Sequence, residues 1–169
     1  MADGRLRGGL ATTGEVVLAL ALAVWLGGMI ALGAFTAPLV FGADAGLPRP
    51  QAAALMTSIF RRFDGAVIVL AGVTLLMSGL RAWDLGLRRL VSKLRLGVAL
   101  ILVAGGAVSA LWVSPKIEAF LHAGVHRGVG PEGASLDRWH HLAEQLGKGE
   151  VALAALLLLL LVIDARARD

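Results

Sequence analysis

Four histidines fall within 20 residues of one another: His122, His126, His140 and His141. If residues 114–126 form a helix, His122 and His126, four apart, lie on one face. That spacing suits two ligands to one metal ion. Asp137, His141, Glu144 and Lys148 follow at steps of four, three and four and would share a second face. A carboxylate placed there can orient a histidine or join it as a ligand. Neutral imidazole suits copper, zinc, iron and nickel, and two imidazoles can ligate haem. Copper, zinc or haem is therefore the cofactor set to test. Against it stands the plainer reading of histidines at helix ends and interfaces as solvated or structural groups. No zinc-protease, phosphate-loop or dinucleotide motif accompanies them.

Asp64 and Glu150 form the second group. Asp64 follows Arg61 and Arg62, and Glu150 follows Lys148, each at the edge of an apolar run. Ionisable residues at membrane depth mark pathways or pairs, whereas those at the boundary are relieved by snorkelling. The edge positions favour the boundary reading, and Glu144 and Lys148 can pair across one helical turn. Catalysis has little support. The serines lack a nucleophile context, the carboxylates are scattered, and cysteine is absent, which excludes disulfides and thiolate chemistry.

The elements that hold these residues must be membrane helices. The chain has 169 residues, 57% apolar and only 17% charged, with mean hydropathy +0.79. Soluble domains carry more charge and fewer apolar residues. Disorder is excluded on the same ground. The sequence predicts an all-α polytopic protein with a four-helix transmembrane bundle, because a few strands cannot close a barrel in lipid. The predicted spans are 16–41, 65–80 with a helical extension from 51, 94–113 and 147–163. A long connection, 114–146, leaves the membrane between the last two. Glycines such as Gly27 and Gly28 in the first span permit close helix packing. Trp25, in mid-span, is expected inside the bundle or facing lipid, and Pro38 is expected to kink or end the first span. Trp83, Trp112 and Trp139 suit an interfacial belt.

The net charge of +4 and pI near 10.6 could suggest nucleic acid. Placed on the spans, the charge reads as topology instead. Arg5 and Arg7, the group Arg81, Arg88, Arg89, Lys93 and Arg95, and Arg166 and Arg168 fall on one side. By the positive-inside rule both termini are cytoplasmic and the 114–146 connection is outside. The expected partners are the lipid bilayer and either further copies of the chain or a membrane complex, with no role for nucleic acid.

Val24-Trp25-Leu26-Gly27-Gly28-Met29, then Ala37-Pro38-Leu39-Val40-Phe41, resembles the first-helix signature of the domain-of-unknown-function 4149 family. Its eukaryotic relatives are the transmembrane protein 205 group. Ser114-Pro115-Lys116-Ile117 is similar to that family's element after the third helix, and His140 or His141 to its histidine before the last. The family commonly follows that histidine with Ser and Asn, where this chain has Glu144 and Lys148. The resemblance implies a short four-helix protein of the bacterial inner membrane, without a settled activity. The link of the eukaryotic branch to platinum-drug resistance implies transport or trafficking. The Trp-Leu-Gly-Gly helix also resembles the copper-resistance D type domain. That domain places a histidine about two turns before the Trp, and Val16 to Leu20 contains none. The expected function is a non-enzymatic transporter-like module or a membrane assembly subunit. A metal- or haem-binding protein is the alternative, and a membrane-embedded enzyme comes third.

Overall fold

The computed structural model describes the backbone of residues 2–85 and 90–166, and the side chains of 13–83 and 90–164. Arg5, Arg7, Arg88, Arg89, Arg166 and Arg168, used above for topology, lie outside the residues whose side chains are described. All regular structure among the described residues is helical. Four stretches are long and apolar enough to cross a membrane: Thr13–Phe41, Arg49–Trp83, Leu90–His122 and Gly130–Asp164.

Two of these are compound. Helix α1 (Ala2–Ile30) runs through a π-helical turn (Ala31–Thr36) into α2 (Ala37–Phe41), and α4 (Leu90–Val108) runs through another (Ser109–Val113) into α5 (Ser114–His122). A proline follows each turn, Pro38 and Pro115. Proline lacks an N–H and its ring crowds the carbonyl four residues back. The widened turn takes up one extra residue. The Ala37 N–H reaches the Leu32 carbonyl and the Ser114 N–H reaches the Ser109 carbonyl, each five residues back. Pro38 therefore does not end the first span. The helix continues to Phe41 and stops at Gly42, which is extended.

The remaining rods are α3 (Arg49–Leu85) and α6 (Gly130–Arg166), unbroken at 37 residues each. Helix extends well beyond the apolar runs, and within 114–146 only 123–129 is non-helical. Amphipathic flanks continue the helices because, once nucleated, each added residue gains a backbone hydrogen bond. Helix α5 ends where Gly124 takes φ +73°. Its N–H bonds to Leu121 O, and the Val125 N–H to Phe120 O. This is the Schellman termination that glycine favours.

Each rod packs against two neighbours, in the ring order α1, α3, α4, α6. Short connections make adjacent rods antiparallel. The core is built from Leu18, Leu22 and Trp25 of α1, Val67 and Ala71 of α3, Val98, Ala99 and Leu102 of α4, and Ala154, Leu157, Leu160 and Leu161 of α6. The spacings of three and four select one stripe from each rod. Leu20, Val24, Leu76, Leu156 and Leu159 are exposed on the outside, as lipid-facing positions must be. Trp25 is fully buried because α4 presents bare backbone to it. A Cβ on Gly106 would come within 2.5 Å of the indole. Gly28 plays the same part for the Phe63 ring, whereas a Cβ on Gly27 would meet nothing.

One end of the bundle is tied by ions. Arg95 Nη1 lies 2.6 Å from Asp164 Oδ2 and 3.9 Å from Glu15 Oε1, and Arg81 Nε lies 3.0 Å from Glu15 Oε1. Each of the four rods supplies one charge, and the formal sum is zero. Breaking a buried pair strands the remaining charge, at a cost of about 3–5 kcal/mol. Arg95→Met is therefore expected to lower the melting temperature in detergent strongly. Adding Asp164→Leu should recover part of the loss; a double variant no better than the single one would show that this pair is not the element lost. Gly106→Val should cost about 1–3 kcal/mol through overpacking against Trp25, with a smaller penalty in a Trp25→Leu background by the same melting assay.

Candidate functional site

Beyond the Trp25 layer the rods border an open cavity of about 820 Å³. The two π turns and their prolines lie at this end. Gly33, Ala34 and Ala37 line it from the first rod, Ser109 and Ser114 from the third. Small side chains at the turns leave the space that large ones would fill. Met29, Phe41, Met56, Phe60, Phe63, Ile117 and Leu121 supply apolar walls, and Val67 and Gly106 join the floor. The room arises because small residues coincide at one level.

Two carboxylates border the cavity just above that floor. Glu150 lies one helical turn from the core residue Ala154 and is 3% exposed. Its Oε2 accepts a hydrogen bond from Trp25 Nε1 at 3.2 Å, and its Oε1 is buried without a partner in the protein. Asp64 lies one turn from Val67. The Ser114 side chain stands next to this carboxylate, whose Oδ2 is buried and unpartnered. The two carboxylates are close enough to interact electrostatically. At 1.5 Å per residue, Glu150 is about 21 Å along α6 from Asp164, and Asp64 about 26 Å along α3 from Arg81. A hydrocarbon core about 30 Å thick that starts at the ion-tied end contains both. Glu150 is buried rather than at a solvated helix edge, whereas Asp64 is half-buried, one turn from the exposed Arg61. Both turn inward, where intramembrane ionisable groups belong.

The rim is polar and self-paired. Arg61 Nε is 3.1 Å from Glu118 Oε2, Arg127 Nε is 2.6 Å from Asp137 Oδ1, and Lys148 Nζ is 2.7 Å from Glu144 Oε1. The last joins residues expected to pair across one turn. His141 Nδ1 is 4.0 Å from Glu144 Oε2, while Asp137 turns instead to Arg127. Trp112 and Trp139 meet edge to face at 5.7 Å, and Trp83 is exposed.

The histidines are not assembled into one site. His122 ends α5, with an 80% exposed side chain 3.6 Å from Glu118. His126 lies past the Gly124 termination, outside any helix. The expected helical face shared by His122 and His126 therefore does not form. His140 and His141 stand at the rim. Among the described residues no three of His, Asp or Glu are grouped to hold a metal ion.

Residue patterns alone did not reveal the pairing of Trp25 with Glu150. The available signal was chemical: an indole N–H in mid-span needs an acceptor, and Glu150 begins the most apolar segment. Gly105 and Gly106 carried the rest. A Cβ on Gly105 would lie 3.8 Å from Glu150 Cγ, so the pair of glycines faces both partners.

Comparison with curated proteins and with solved structures returned no match. The sequence profile of a domain of unknown function (DUF4149) matches residues 20–126. That stretch contains the Trp25 helix, both π turns, Asp64 and Ser114, and it stops short of Glu150. Covering well over half of the chain, the match makes this four-span membrane protein a member of the domain-of-unknown-function 4149 family.

Proposed function

We propose that the protein is a non-enzymatic, transporter-like membrane module whose cavity is a binding chamber for a small molecule. The observation that carries this reading is the cavity of about 820 Å³ with two inward-turned carboxylates above its floor. Small-molecule sites are concave and mostly apolar, about 300–1,000 Å³ in size, with a few placed polar groups. An assembly subunit would need no such interior. All of the chamber walls come from one copy. Loop charge supports cytoplasmic termini and a chamber mouth outside, and the family resemblance supports the inner membrane of a bacterium. The ion-tied end then faces the cytoplasm and closes the chamber from that side.

Absence of cysteine makes a direct test available. Thr57→Cys and Ser109→Cys place a thiol in the chamber wall. Ala71→Cys and Ala99→Cys place one in the core below it. In intact cells a membrane-impermeant maleimide is expected to label the two chamber positions and neither core position. Unlabelled chamber positions, in cells and in permeabilised membranes alike, would refute an accessible chamber. Labelling only after permeabilisation would reverse the orientation.

A further inference from the structure

We propose that the chamber takes an organic ammonium ion, with a primary or secondary amine head and an apolar body, through Glu150 and Asp64. This rests on the chamber reading and adds the ligand class. The first ground is acceptor geometry. Glu150 is 3% exposed, with Oε2 held by the Trp25 N–H and Oε1 left without a partner at the cavity wall. Asp64, beside Ser114, likewise leaves its Oδ2 buried without a partner. Two carboxylates, each with one buried open oxygen, call for a ligand that brings N–H donors.

The second ground is charge. The three cations that line the chamber, Arg61, Arg127 and Lys148, each have an acid of their own: Glu118, Asp137 and Glu144. Among the described residues neither Asp64 nor Glu150 has an ion-pair partner within 4 Å. At the other end of the bundle the acids are matched by arginines. A carboxylate removed from water needs a counter-charge. Here the protein supplies no close pair: Arg61 acts on Asp64 from beyond 4 Å and is itself paired with Glu118. A cationic ligand would supply one.

The third ground is the space around the acids. A bare inorganic ion gathers a shell of oxygen ligands, about six to eight for calcium, and no three-residue ligand group is present among the described residues. Met29, Phe60, Phe63 and Ile117 instead line a volume suited to an apolar body attached to the charged head.

The test uses the full-length protein in phosphatidylcholine nanodiscs, titrated calorimetrically with 4-phenylbutylamine, and empty nanodiscs as reference. The neutral isostere 4-phenylbutanol is the comparison ligand. The amine is expected to bind saturably, and the alcohol roughly tenfold or more weakly. Glu150→Gln and Asp64→Asn should each weaken the amine by a similar factor, the range of a charge-assisted hydrogen bond. Glu150→Gln keeps an acceptor for Trp25, and an unchanged melting profile will show that it folds. If it does not fold, Asp64→Asn carries the comparison. Equal binding of amine and alcohol, indifferent to both substitutions, overturns the ammonium assignment and leaves the chamber reading intact. Saturable binding of neither ligand overturns the ammonium assignment. Chamber thiols that also resist labelling would then overturn the chamber itself.

Discussion

A charge inside hydrocarbon must find an opposite charge or a donor, and this bundle is organised by how it meets that demand at two levels. At one level Glu15, Arg81, Arg95 and Asp164 answer one another, one from each rod. Apolar packing alone is a weak guide to register in lipid, because the tails are as apolar as leucine. The ion cluster supplies what packing lacks. It fixes which side of each rod faces inward and at what height. At the other level Glu150 is answered by the Trp25 N–H alone, Asp64 lies beside Ser114, and the rods stand apart.

Between the levels, size does the positioning. Gly106 lets the Trp25 ring lie against the α4 backbone, and the ring's N–H then fixes Glu150. The π turns act above this layer. By absorbing an extra residue they carry the rods past Pro38 and Pro115 without a break in the ladder of backbone hydrogen bonds. A turn of this kind inside a helix is rare and is often found at functional sites. Two of them bordering one cavity, next to small side chains, explain why the interior opens there.

The class of fold was legible because it follows from composition. Apolar runs of span length separated by charge admit few alternatives to a helical bundle. Helix ends were less legible. The apolar run at 65–80 starts just after Asp64, and the last run starts just after Glu150. Both acids lie within helices, so the apparent edges were parts of the site. The histidines misled for a related reason. Their crowding in sequence is a property of 20 residues of chain, and one positive-φ glycine, Gly124, separates His122 from His126 in space. The partners of Glu150 and Arg95 are 125 and 69 residues away, and no local pattern encodes such distances.

The spacing of the two charged levels has an evolutionary consequence. About 21 Å of α6 separates Asp164 from Glu150, too far for a change at one to be felt directly at the other. Effects of substitutions at such separations add independently. The cluster that holds the rods can thus stay fixed while the residues around the cavity drift. One scaffold can accept changes in its cavity lining without being refolded.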